Sequence, residues 1–225
     1  MSEHVKRSPG SRPYDASRRR QRADENRLAM LRSAHRMFVE RGYARTTMAA
    51  IAADAGVSTD LLYKTFGTKH RLVVEVLNYD ATSEVDSPPV LEQTRPQEVR
   101  AEKDQRTQIR MFAADIAQRT RRVRPIDDVI RSAGEVDPVL ATQRAQDQRT
   151  RLSNLQAFVG WVAANGALRE GLEEEDAAAT VWALTGPDMH RLLVDELGWE
   201  HQRYADWIRD TLTAVLLPPP ADRTT

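Results

Sequence analysis

The stretch GVSTDLLYKTF (56–66) gathers two threonines, an aspartate, a tyrosine and a lysine within a run that also carries regularly spaced apolar residues. These side chains donate and accept hydrogen bonds and carry charge, so the chemistry they offer is recognition. Catalysis finds no matching set elsewhere. The chain has no G-x-S-x-G, no H-E-x-x-H and no glycine-rich phosphate loop. The histidines, at 4, 35, 70, 190 and 201, include no i, i+4 pair. His190 beside Asp188 reads as a surface pair on a helix. Asp127 and Asp128 are neighbours whose carboxylates point about 100° apart on a helix, which predicts solvation of both. We expect no enzyme, no catalytic residue, no metal site and no cofactor.

The elements that position the recognition residues follow from spacing. Leu28, Leu31, Ala34 and Phe38 predict a helix over about 23–41, and Gly42 follows its last turn. Met48, Ile51, Ala52 and Ala55 form one apolar stripe of a short second helix, 47–55, which Gly56 ends. Ser58 is suited to cap a third helix, with Val57 and Leu62 as a hydrophobic staple across the cap. Leu62 and Phe66 point inward. Lys64 lies opposite them, flanked by Asp60 and Leu61, with Thr59 and Tyr63 to one side and Thr65 to the other. Two short helices joined by a glycine-containing turn make a helix-turn-helix. A rigid helix with its polar groups outward is suited to the major groove.

Charge supports that direction. The chain of 225 residues has a net charge of zero, yet residues 1–80 hold 15 Lys/Arg against 9 Asp/Glu. The remainder is acidic, as expected of a nucleic-acid-binding head on a separate body. There is no cysteine, which excludes disulfides and zinc ribbons. No apolar run reaches the length of a membrane span, and the N-terminus lacks a signal-peptide pattern, so we expect a cytoplasmic protein without membrane contact. Residues 1–22 have no periodicity and are expected to be disordered. Within them RRRQR (18–22) is either a solvated leader or an arm lying on phosphates or in the minor groove.

TTMAAIAADAGVSTDLLYKTFGTKHRLV (46–73) resembles the helix-turn-helix signature of the TetR family of transcriptional regulators. The resemblance rests on Phe38, Gly42-Tyr43, Thr46-Thr47, Ile51-Ala52, Ala55-Gly56-Val57-Ser58, Leu62-Tyr63, Phe66, Lys69 and Leu72, and spans 28–77. It implies an all-α protein: a three-helix DNA-binding domain (23–67), then a helical effector-binding and dimerisation domain (68–217) and a disordered tail (218–225). A fourth helix, 68–83, would link the two through Leu72, Val73, Val76 and Leu77. Carried over by position, Thr47, Thr59, Asp60, Leu61, Tyr63, Lys64, Thr65 and Lys69 would contact DNA, Tyr63 and Lys69 mainly through phosphates. Asp60 stands where the family has a small residue or proline, and Thr65 where it has an aromatic or histidine. Asp60 would either accept from a cytosine amino group or be held by a neighbouring cation; Leu61 suits a thymine methyl. The implied function is a homodimeric repressor released from a palindromic operator by a small-molecule effector. The alternative is a DNA-binding protein of this fold without such a ligand, acting through a protein partner or DNA architecture.

The body is less marked. EVDSPPVLEQTRPQEV (84–99) reads as a connection. Helices are expected over 98–122, over Pro125 to Ala133, over 137–165 with Gly166 as a C-cap, from 173 to 197 with a bend at Gly186-Pro187, and over 200–217. Phe112, Phe158 and Trp161 either line a ligand cavity or pack the core. Val181, Leu184, Leu192 and Leu193, with Tyr204, Ile208, Leu212 and Val215, are expected to form an isologous four-helix dimer interface.

Overall fold

The computed structural model describes residues 14–219. Among them there are ten α-helices and no strand: α1 (Tyr14–Arg45), α2 (Met48–Asp54), α3 (Thr59–Phe66), α4 (Lys69–Thr82), α5 (Thr94–Ala101), α6 (Gln105–Gly134), α7 (Pro138–Ala163), α8 (Glu174–Leu184), α9 (Pro187–His190) and α10 (His201–Leu216). A 3₁₀ turn, Val90–Glu92, precedes α5, and a π-helical turn, Arg191–Glu196, follows α9.

The head is built from local signals. Gly42 breaks the helical path of α1 at φ +77°, and a last turn carries on to Arg45. Buried Thr46 donates to the carbonyls of Met37 and Gly42, which fixes the corner. Thr47 caps α2 by accepting from the Ala50 amide. The helix closes with Gly56 N–H on Ala53 O and Val57 N–H on Ala52 O, Gly56 lying at φ +68°. That paired closure is a Schellman motif, which turns the chain sharply at a residue without a Cβ. Ser58 then caps α3 through the Leu61 amide. Leu62 and Phe66 are buried with Met30, Leu31, Ala34 and Phe38 of α1 and Ile51 of α2.

Three expectations for element boundaries are corrected. The first helix begins at Tyr14, so residues 14–22 are helical; the rest of the leader lies outside the described residues. Arginine, glutamine and alanine favour helix, and Gln21 bonds to Glu25 one turn on, so α1 extends backwards without a hydrophobic stripe. The segment 84–99 is not wholly a connection, because α5 starts at Thr94. Pro96 sits in the first turn of α5, where a missing N–H costs nothing. The helices expected over 98–122 and Pro125 to Ala133 are instead α5 and the single long α6, which passes through Pro125. Ile109, Ala113 and Ala117 bury in the body core, while Ile126 and Ile130 bury in the head core. That two-ended burial outweighs the roughly 3 kcal/mol that an interior proline costs a helix.

α6 is the central strut and packs against α1, α4, α5, α7, α9 and α10. Leu72, Val73 and Val76 of α4 belong to the head core together with Ile126, Ile130 and Leu140. The body core is formed by α6, α7, α8 and α10, with Phe158, Val159, Val181, Tyr204, Ile208 and Leu212 fully enclosed. This overturns the surface argument for the dimer: Val181, Tyr204, Ile208 and Leu212 are buried within one protomer. Gly166 follows α7 without the left-handed conformation of a C-cap glycine. Its role is close approach, since a Cβ there would meet Gln105 Oε1 at 2.7 Å. Gln105 donates to the carbonyls of Val162 and Gly166 at 3.0 and 2.8 Å and closes the end of α7. The bend at Gly186-Pro187 is present, between α8 and α9. The residues beyond Pro219 in the expected tail lie outside the described residues.

Candidate DNA-reading face and body cavity

α3 presents the residues that the spacing assigns outward. Asp60, Tyr63 and Lys64 are exposed, Tyr63 to 49 %, while Thr59, Leu61 and Thr65 are half-exposed. Asp60 makes no ion pair among the described residues. The Thr65 hydroxyl donates to Leu61 O at 2.8 Å, which fixes its rotamer and leaves an acceptor lone pair outward. Thr47 is exposed, its oxygen engaged in the cap and its O–H available as a donor. The arginines of 18–22 are on the exposed first turns of α1, upstream of the head core.

Lys69 is placed differently. Its ammonium donates to Tyr43 O at 3.0 Å and to Thr46 O at 3.1 Å, and lies 4.1 Å from the centroid of the Tyr43 ring. Burial lowers its pKa from the ordinary lysine value. Two of its three donors thus pin the start of α4 to the corner between α1 and α2.

In the body, α4, α5, α6 and α7 enclose a cavity of about 240 Å³. Phe112, Phe158 and Trp161 all line it. Phe112 and Phe158 are stacked with centroids 3.7 Å apart. Leu77, Asn78 and Ala81 of α4 form part of the same wall. The end of α4 is held by two cations of α6: Arg122 donates to Asp80 O at 2.9 Å and Arg119 to Ala81 O. Arg119 also lines the cavity and pairs with Asp115 at 3.2 Å. Cations on the terminal carbonyls of a helix are favourably placed in its dipole field.

Several polar groups here escaped the sequence reading. Asp127 is buried, not solvated, and meets Arg144 at 3.4 Å, while Asp128 pairs with Arg124 at 2.6 Å. Burial raises the pKa of Asp127 and of Asp147, both of which line the cavity. Arg151 donates to Trp182 O and Thr185 Oγ1, each at 2.9 Å, and burial lowers its pKa to about 10. His190 is also buried, edge-on to Tyr204 with centroids 5.0 Å apart; Asp188 pairs with Arg191 instead. Burial of these groups is decided by helices far away in sequence, so nearest-neighbour spacing carries no signal for it.

One acid–base pair, its acid buried and its base part-exposed, lies at the joint of head and body. Asp80 of α4 places Oδ2 3.3 Å from Nε2 of His35 on α1. Burial pushes Asp80 up to about 7, opposed by Arg122, and burial lowers His35. Both shifts disfavour the charged forms of the pair. Neither side chain lines the cavity.

The arrangement defines a helix-turn-helix protein whose reading helix is tied, through one linking helix, to a hollow helical body. Residues 30–76 match the model of the bacterial regulatory proteins of the tetR family. The HTH-type transcriptional regulator TtgR of Pseudomonas putida is 41 % identical over 61 residues, 27 % of this chain and 29 % of the relative. The chain therefore spans less than a third of the length of the curated relatives it matches. The fold extends further. The crystal structure of NalD, the secondary repressor of the MexAB-OprM multidrug efflux pump in Pseudomonas aeruginosa, superposes with a TM-score of 0.63 at 16 % identity, over 87 % of this chain and 98 % of that one. The complex of SmeT with triclosan superposes with a TM-score of 0.61 at 20 % identity, over 87 % and 93 %. SmeT is the repressor of the Stenotrophomonas maltophilia multidrug efflux pump SmeDEF. The head of this chain is thus similar to the helix-turn-helix domain of the tetR family, and the described residues as a whole share the fold of these neighbours.

Proposed function

We propose that this protein is a homodimeric transcription regulator, a repressor, that leaves a palindromic operator when a small, largely apolar molecule enters the body cavity. The observation that carries the reading is the double use of α4. Its residues Leu72, Val73 and Val76 are part of the head core, and Leu77, Asn78 and Ala81 are part of the cavity wall. A molecule that displaces this wall displaces the seat of the head. DNA holds the two heads of a dimer about one turn, roughly 34 Å, apart. Conformations with another spacing therefore bind the operator less well, and the molecule acts through its differential affinity for them.

Thr47, Thr59, Asp60, Leu61, Lys64 and Thr65 are the base-facing set, and Tyr63 is a phosphate contact. The protein acts in the cytoplasm by binding and not by catalysis; the Asp80–His35 pair is not part of the cavity wall. Among the described residues no helix is long and apolar enough to cross a membrane. Trp182, Leu192 and Leu197, 36 %, 42 % and 65 % exposed, are the large apolar side chains left outward on and after α8 for a partner protomer. A regulator working without a small molecule would have no use for a body cavity faced by three aromatics, and triclosan held by a neighbour of this fold favours the ligand-responsive form.

The test is a fluorescence anisotropy titration on sites selected from a random DNA pool, with and without candidate apolar compounds. We expect palindromic sites, a log–log salt dependence with a slope of several units, and a 5- to 150-fold loss of affinity with an effective compound. Asp60→Ala and Leu61→Ala should change the selected sequence. Affinity independent of salt, or selection unchanged by both substitutions, would count against α3 as the reading helix.

A further inference from the structure

We infer that Arg27 is a positioning residue for operator reading: it braces the corner between α3 and α4. The inference rests on the reading of α3 as the helix that meets the bases.

The corner is short. α3 ends at Phe66, Gly67 follows at φ +75°, and Thr68 already caps α4 through the Arg71 amide. A single glycine turns the chain there but fixes the angle weakly, since its backbone is permissive. Leu62 and Phe66 seat α3 in the head core, and Leu72 and Val73 seat α4 in the same core. Apolar burial is non-directional, so it holds a helix of about two turns in place without fixing its tilt.

Arg27 of α1 supplies directional contacts to both sides of the corner. Its Cζ lies 5.1 Å from the centroid of the Phe66 ring, at the end of α3. Its Nη2 donates to Glu75 Oε2 of α4 at 2.8 Å and lies 3.4 Å from Asp86 Oδ1, beyond the end of α4. The Arg27 side chain is only 22 % exposed, so these charges are screened less than a surface pair. A planar guanidinium can lie over a ring and pair with carboxylates together, which the point charge of a lysine matches only in part. At 1.5 Å per residue α3 is about 12 Å long. A tilt of about 5° about Phe66 moves its far end by about 1 Å, enough to take a base contact out of hydrogen-bond range.

Four proteins decide the matter: the unaltered chain, Arg27→Met, Glu75→Ala and the double variant. Each is titrated by fluorescence anisotropy, at several salt concentrations, against the site that the unaltered chain selects from a random pool and against a random-sequence duplex. Both single substitutions should lose about tenfold in affinity for the selected site and stay within about threefold on the random duplex. They change the net charge in opposite directions, so a loss common to both is not a general charge effect. The double variant should fall within about twofold of Arg27→Met, because the pair acts as a unit. Arg27→Lys, which keeps a cation near Phe66 and Glu75, should lie between Arg27→Met and the unaltered chain. If Arg27→Met weakens both duplexes alike and lowers the salt slope by about one unit, while Glu75→Ala weakens neither, Arg27 is a phosphate contact and the brace is wrong. If the variants melt at lower temperature yet keep the full preference for the selected site, the contacts serve only the fold and the brace is again wrong. An unaltered chain that prefers no sequence overturns the reading of α3, and with it any role of Arg27 in specificity. Should Arg27→Met fail to fold, as judged by circular dichroism, Glu75→Ala at its half-exposed position still decides.

Discussion

Asp80→Asn should make the protein more stable at neutral pH, and by an amount that grows with pH. In the unfolded chain an aspartate ionises near its ordinary value of 3.8, whereas in the folded chain burial holds Asp80 at about 7. Between pH 5 and pH 7 the folded state therefore keeps a proton that the unfolded state has released. A folded acid with a raised pKa loses stability as pH rises through this window, and the loss is complete above the folded value. Two pH units at 1.36 kcal/mol each give about 3 kcal/mol between pH 5 and pH 8. Asparagine has no proton to lose, and its amide can still donate to His35 Nε2. His35, whose pKa burial lowers, weakens the fold in the opposite direction, as pH falls below 6.5. That contribution cancels in the difference only as far as the substitution leaves the titration of His35, in contact with residue 80, unchanged.

The assay is urea denaturation of both proteins at pH 5, 6, 7 and 8, followed by circular dichroism. The stability difference in favour of the variant should widen by about 3 kcal/mol across the series, equivalent to roughly 6–12 °C in melting temperature for a chain of this size. A difference constant to within about 0.5 kcal/mol from pH 5 to pH 8 would mean that Asp80 ionises normally in the fold and that burial does not hold its proton.

Lys69→Ala should lower the melting temperature, because the carbonyls of Tyr43 and Thr46 lose their donor at a cost of about 1–3 kcal/mol. The slope of log affinity against log salt should stay close to that of the unaltered protein; a slope smaller by about one unit would instead make Lys69 a phosphate contact. Gly166→Ala should destabilise by about 1 kcal/mol through displacement of the Gln105 side chain, with DNA affinity unchanged. In the double variant with Gln105→Ala the two losses should fall short of their sum, as a denaturant-melt cycle would read; full additivity would refute the contact.

The head was legible because its instructions are short-range. Thr47, Gly56, Ser58, Val57 and Leu62 each act on residues within about five positions, and each does so in the structure. The body obeys longer-range terms. Pro96 and Pro125 look like punctuation in the sequence, yet one falls in a first turn and the other is overridden by Ile126 and Ile130 entering the head core. The aromatics of the cavity were identifiable as a set, since Phe112, Phe158 and Trp161 sit on the inward stripes of α6 and α7. Its polar end was not. Asp127 reads as an ordinary surface acid, and only the packing of α6 against α7 takes it out of water. The apolar spacing of α10 was read correctly, but it serves the protomer core and not a partner, because periodicity reports a buried face without saying what buries it.

The same limit explains why the linking helix matters more than its sequence suggests. At 100° per residue, Leu72, Val73 and Val76 centre on one stripe of α4, while Leu77, Asn78 and Ala81 centre on another roughly 140° around it. A helix with an apolar stripe toward each of two compartments cannot adjust to one without moving in the other, since close-packed side chains leave little room for independent shifts. Arg119 and Arg122 hold the cavity end of that helix by its last carbonyls, and Lys69 holds the head end by the carbonyls of Tyr43 and Thr46. α4 is thus clamped at both ends and free to turn chiefly as a rigid body. Arg119 belongs to the cavity wall and to the clamp together; on the proposed function, a molecule that reoriented it would loosen the cavity end of α4 while Lys69 kept the head attached, and the motion would be delivered to α3.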